Sequence, residues 1–173
     1  MNGAAVPWRV RGFTLIEMLV VLMIMGIFLG LIRANLRPSE QDLLRTEAER
    51  LAQLLDLAAE ESRLTGKSLA WTDDESGYRF WRRAGDNEWA EIRDSVLLRA
   101  RSLPQGMTIS DLRVEAMGPQ KSMRLEFSPN GLMLAFTIDL SLGAEHYTVA
   151  ASPVGDLRVA PGKGKTYGEM APE

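Results

Sequence analysis

Cysteine is absent from the 173 residues, which excludes disulfides and thiol chemistry and leaves any folded part to be held by its core alone. Histidine occurs once, at His146, and one imidazole without cysteine cannot build an ordinary zinc site of nitrogen and sulfur ligands. No Gly-x-x-x-x-Gly-Lys run exists to cradle a nucleotide phosphate. Ser128 and Ser152 have no nucleophile-elbow context. No stripe of one charge accumulates either: 20 Lys and Arg stand against 23 Asp and Glu, a formal charge of −3, so nothing points to nucleic acid. There is no internal repeat and no low-complexity tract. These absences leave catalysis little to stand on, and the chain reads as a non-enzyme without cofactor or metal.

What is present is one long apolar run. Phe13–Ile32 comprises 20 residues, of which only Glu17 is ionisable. At about 1.5 Å per residue, a helix of that length spans a hydrocarbon core of about 30 Å. The run therefore predicts a transmembrane helix over residues 13–32. A secretory signal carries a shorter apolar part, about 7–15 residues, and a small-x-small cleavage site. The corresponding tripeptide here, Ile32-Arg33-Ala34, has a bulky residue and a charge, which argues against removal of the run. An ionised carboxylate inside a bilayer costs about 2.5–3.5 kcal/mol. Glu17 either sits at headgroup level, one turn from the helix start, or meets a partner. Arg9 and Arg11 precede the run while Arg33 and Arg37 follow it, so the positive-inside count is tied.

The stretch Gly12-Phe13-Thr14-Leu15-Ile16-Glu17, set between a short basic leader and the apolar run, resembles the type IV pilin-like family. The resemblance implies that a membrane prepilin peptidase cuts between Gly12 and Phe13 and methylates the new amino group of Phe13. Residues 1–12 would be lost and the apolar helix kept, with the leader in the cytoplasm and the rest outside. Loss of Arg9 and Arg11 takes the formal charge from −3 to −5. The exposed amine of one subunit would then face Glu17 of the next, giving Glu17 an assembly role.

Beyond the apolar run, Pro38 disfavours the helical conformation at Arg37 and predicts a kink or break. Ser39 followed by Asp42 has capping-box spacing and restarts the helix. Leu44, Ala48, Leu51, Leu55 and Ala58 then recur at helical spacing, with Arg63 in the last turn and Gly66 as the stop. This predicts an amphipathic helix over residues 33–65. Its stripe suits either packing on a sheet or a coiled-coil seam. A helix unbroken from Phe13 to Leu64 would be 52 residues and roughly 78 Å long.

From Gly66 onward the pattern changes to short strands, expected at Ser68–Thr72, Tyr78–Arg82, Glu88–Ile92, Val96–Arg101, Leu112–Ala116, Met123–Phe127, Met133–Asp139, Tyr147–Ala151 and Asp156–Val159. Runs such as Pro104-Gln105-Gly106 and Pro129-Asn130-Gly131 separate them. The fold class expected is α+β: a long N-terminal helix, membrane-spanning below and amphipathic above, packed on an antiparallel β-sandwich-like domain over residues 66–160. Residues 161–173, with few apolar side chains, are expected to be a mobile tail. Asp73-Asp74-Glu75 offers oxygens to calcium but lacks the alternating ligand spacing of a dedicated loop, and reads as a solvated turn. Trp71, Trp81 and Trp89 are expected in core or sheet-edge packing. Arg79, Arg82 and Arg83 around Trp81 form either a solvated face or a subunit contact.

The C-terminal half, through Phe127-Ser128-Pro129-Asn130-Gly131, Tyr147-Thr148-Val149 and Gly155-Asp156-Leu157-Arg158-Val159, is similar to the H-type minor pseudopilins of type II secretion and their fimbrial relatives. It departs from their commoner Gly-Arg arrangement at Asp156. The resemblance implies a single-pass inner-membrane protein with a periplasmic domain, in a pseudopilus that exports folded proteins across the outer membrane. Its implied partners are the prepilin peptidase, major and other minor pseudopilins, the inner-membrane assembly platform and membrane lipid. Two other readings stay open: a minor pilin priming a type IV pilus or DNA-uptake filament, and a membrane-anchored periplasmic binding domain that never polymerises.

Overall fold

The computed structural model describes residues 13–35, 39–74, 76–85, 88–115 and 124–170, with the side chains of 32–35 excepted. The chain divides into two compact units between Arg37 and Pro38. The first contains helix α1, Leu15–Asn35; the second opens with helix α2, Glu40–Thr65. Ser39 has an extended backbone and α2 starts after it, as its capping spacing predicts; residues 36–38, where the proline kink or break is expected, lie outside the described residues.

The ends of α2 follow from local chemistry. Ser39 is the N-cap, its side chain accepting the Asp42 N–H at 3.1 Å, which satisfies one of the orphan donors of the first turn. Glu40 and Asp42 sit at the positive end of the helix dipole and Arg63 at the negative end. Gly66 closes the helix at φ +68°, a conformation that penalises any Cβ, and its N–H donates to the Ser62 carbonyl. The expected stripe is the buried face: Leu44, Ala48, Leu51, Leu55 and Ala58 are all fully enclosed.

Nine strands follow, β1 Leu69–Asp74, β2 Gly77–Arg83, β3 Trp89–Glu91, β4 Arg101–Ser102, β5 Met107–Val114, β6 Leu125–Phe127, β7 Phe136–Leu142, β8 Glu145–Ala151 and β9 Leu157–Pro161. They form two antiparallel sheets. The first has the order β3-β2-β1-β6 with β4 also pairing to β2, and the second is β5-β7-β8-β9. α2 contacts β1 and β6 of the first sheet and β7, β8 and β9 of the second, so both sheets cover its stripe and all three share one core. The Ser62 hydroxyl, buried at the end of that stripe, lies 2.9 Å from the carbonyls of both Lys67 and Phe127 and so ties α2 to β6.

Three expectations meet a different structure. Residues Val96–Arg101 are not a strand: the Ser95 hydroxyl accepts the N–H groups of Leu97 and Leu98 at 3.3 and 3.1 Å. This local bonding competes with a ladder, and only Arg101 enters one. β5 begins five residues before the expected Leu112. Its register shifts between Ile109 and Asp111, so the inward positions pass from Met107 and Ile109 to Leu112 and Val114. A one-residue bulge reverses the alternation and hides the strand. Lastly, residues 162–170, expected to be mobile, are tied to the outer face of the second sheet. Gly164 N–H donates to Asp139 at 2.9 Å, Arg158 donates to the Met170 carbonyl at 2.7 Å, and a 3₁₀ turn at Tyr167–Glu169 buries Met170. Residues 171–173 lie outside the described residues.

Candidate functional site

The region whose chemistry does not close on itself is α1. Thr14 starts it: the Glu17 N–H donates to the Thr14 carbonyl at 3.1 Å and to its hydroxyl at 3.3 Å. Thr14 and Glu17 therefore have the spacing of a capping box, and the Glu17 carboxylate lies in the first turn, where the helix dipole favours it. The Thr-x-x-Glu signal is present in the sequence and marks Thr14 as part of the site. Phe13 is 73% exposed; Gly12 lies outside the described residues.

Every large apolar side chain of α1 with a described position is exposed, from 40% at Val21 to 84% at Leu15. A helix apolar on all sides needs a lipid or protein environment. Among the described residues no helix is long and apolar enough to cross a membrane.

The second unit bonds many of its polar side chains internally. Ser152 accepts the Asp156 N–H at 3.1 Å, and the Ser128 carbonyl accepts the Gly131 N–H at 3.0 Å, so both serines serve turns. Asp74 accepts Ser76 N–H and hydroxyl at 3.1 and 3.2 Å and Arg79 at 3.2 Å. Burial pulls its carboxyl upward, but these bonds outweigh burial and hold it below the usual carboxylate range. Burial holds the neighbouring Asp73 above that range, with the charge of Asp74 adding. Glu75 lies outside the described residues, and among those described no three ligating side chains are grouped to hold a metal ion. Arg79 and Arg82 are engaged within the chain: Arg79 pairs with Asp74, and Arg82 joins Glu61 to Asp94 at 3.0 Å each. Trp81 donates to Thr72 at 2.9 Å, and Arg83 lies 5.9 Å from the Trp89 ring centre. His146 Nδ1 is buried without a partner among the described residues.

The two C-terminal motifs, far apart in sequence, meet in space. Phe127, Ser128 and Gly131 from one, and Gly155 and Asp156 from the other, line a cavity of about 150 Å³ against Arg63 of α2. Phe127 plugs the core below it.

A family model described as type II transport protein GspH matches residues 47–155, which take in most of α2 and the Phe127–Gly131 motif and end at Gly155. The chain belongs to this family. A second model, the prokaryotic N-terminal methylation motif, matches residues 9–32 and so takes in Gly12, Phe13, Glu17 and the apolar run. Among curated proteins the chain is similar to type II secretion system protein H of Aeromonas hydrophila, 27% identical, with 87% of this chain and 93% of that protein covered. In the solved structures, the minor pseudopilin EpsH of Vibrio cholerae superposes with a TM-score of 0.62 at 21% identity, covering 73% of this chain and 100% of that one. The solution structure of E. coli GspH superposes with a TM-score of 0.53 at 15% identity, covering 70% and 92%. At these identities the structures show a shared fold. That fold is α+β with antiparallel sheets and an N-terminal helix, as expected.

Proposed function

We infer that this GspH-family chain is a structural subunit inserted by its N-terminal helix and assembled through it. It is a minor pseudopilin of the type II secretion system. The observation that carries the reading is the junction, in one chain, of a GspH-matched domain over residues 47–155 and a methylation-motif helix whose described apolar side chains are all exposed. The first feature favours type II secretion over a pilus or DNA-uptake filament.

The helix over residues 13–32 crosses the inner membrane, with the domain of residues 66–160 in the periplasm. The prepilin peptidase removes residues 1–12, leaving a methylated amine on Phe13. That amine is cationic at neutral pH and needs a counter-charge in low dielectric. Charges about 4 Å apart attract by about 4 kcal/mol at an effective dielectric of 20, enough to offset the cost of about 2.5–3.5 kcal/mol for placing Glu17 in the membrane. Glu17 of an incoming subunit pairs with the Phe13 amine of its neighbour and sets the axial register among major and minor pseudopilins. The assembly platform and lipid complete its surroundings. The role is structural and not catalytic.

Intact mass measurement on protein extracted from membranes tests processing: the mature chain is expected to begin at methylated Phe13. A retained leader would instead favour an anchored domain that never polymerises. Glu17→Val tests pairing, with cleavage retained and co-purification with the other pseudopilins lost; a variant that still assembles removes Glu17 from the mechanism.

A further inference from the structure

The outer face of the second sheet carries a fully buried carboxylate that neither assembly nor processing uses. Asp139, in the middle of β7, is 0% exposed. Its Oδ1 accepts the Thr148 hydroxyl from β8 and the Gly164 N–H at 2.9 Å, and its Oδ2 faces Arg113 of β5 at 3.1 Å. A buried carboxylate persists only when it is paired and hydrogen-bonded. One of these donors, Gly164, belongs to the segment lying across the sheet. Gly164 has φ +72°, and a Cβ there would stand 2.8 Å from Arg113 Nη2, so the main chain of the segment closes over Asp139, while Arg113 keeps 46% of its side chain exposed.

The segment has a second anchor. Arg158 of β9 donates to the Met170 carbonyl at 2.7 Å, and its guanidinium lies 4.2 Å from the Tyr167 ring centre. Between the anchors, Thr166 and Glu169 form a capping box that holds the turn as a unit. The segment contributes one buried apolar side chain, Met170, whereas the opposite face of β7 gives Phe136, Ile138 and Leu140 to the core. Its attachment is therefore mainly polar and separate from the packing that holds the domain. Such segments open at lower free energy than the core.

We propose that residues 162–170 form a strap latched at Asp139 and Arg158, which undocks as a unit while the two sheets and α2 stay folded. Docked, Thr166, Tyr167 and Gly168 are one wall of a cleft of about 590 Å³ whose other wall includes Val114, Phe136 and Thr137. Undocked, the cleft is gone and the face presents Asp139 and Thr148, both fully buried when docked, to water. The domain thus has two alternative surfaces on this side.

Hydrogen–deuterium exchange of the full-length protein in detergent micelles tests the latch. The amides of Gly164, Thr166 and Met170 are expected to exchange together and ahead of those of β7 and β8. Asp139→Asn should speed strap exchange by roughly tenfold or more while leaving β1 and β2 unchanged. Gly164→Ala keeps the carboxylate and should give the same pattern. Arg158→Gln should loosen residues 166–170 more than Gly164. Strap amides that exchange only with β7 and β8 in the native protein would overturn the proposal. So would unchanged strap exchange in Gly164→Ala, the deciding variant if Asp139→Asn melts the whole domain.

Discussion

Helices α1 and α2 are 21 and 26 residues long, yet they solve opposite problems. α2 gathers most of its apolar residues on one stripe, of which Leu44, Ala48, Leu51, Leu55 and Ala58 are fully hidden beneath two sheets, leaving pairs such as Arg45–Glu49 and Arg63–Glu60 on its solvent side. α1 is apolar all round, and its large side chains with described positions are all exposed. Helical geometry is common to both; the environment each requires is written in how its apolar residues are spaced. In α2 the hydrophobic effect stabilises a fold. In α1 the same effect is left to drive transfer into lipid or onto other chains.

Substitutions at matched positions break or sharpen this contrast. The largest effect is expected at Leu51, which is 0% exposed: Leu51→Ala should lower unfolding free energy by about 2–5 kcal/mol in a urea titration of the full chain in detergent. Leu22→Ala in α1, at 70% exposure, should leave that titration unchanged, and a shift there would mean that α1 packs on the domain. Next, Leu22→Asp should cost about 3 kcal/mol of membrane insertion, read as loss from the membrane fraction with the domain still folded. Retention at the wild-type level would end the membrane reading of α1.

Smaller effects test the boundary between the helices and the core beneath α2. Ser39→Ala removes the cap and should destabilise the domain by about 1 kcal/mol, with Ser39→Asp restoring it; no loss would show that α2 is started by packing alone. Tyr78 lies in the shared core, and burial pushes its phenol from 10.0 up to about 12. Between these values the folded state holds a proton that the unfolded state has released, so stability falls as pH rises through that window. Tyr78→Phe should remove that dependence when unfolding midpoints are compared at about pH 9 and about pH 11.

The amphipathic helix was readable because its period, its N-cap at Ser39 and its stop at Gly66 are all local signals that agree. Most strands were readable for the same reason, Leu125 and Phe127 of β6 being buried on one face with Glu126 exposed between them. The first half of β5 was not, because its bulge inverts the alternation partway along. Thr14 was readable in principle, since its spacing from Glu17 is a known cap, but the apolar run draws attention to membrane length first. The meeting of the Phe127–Gly131 and Gly155–Asp156 turns at one cavity depends on a strand order that neither turn encodes.

Spacing and composition along the chain were enough to specify two helices of opposite character, the start of the second at Ser39, a β-rich remainder and a methylation motif ahead of an apolar run. Each rests on interactions within a few residues, where the period of the backbone dictates which side chains share a face. The fate of the C-terminal segment was decided elsewhere. Its composition predicts mobility, and only the folded sheet brings Asp139, Thr148 and Arg158 beneath it. A buried charge acquires its meaning from partners supplied by other strands, and that information exists only once the strands are paired.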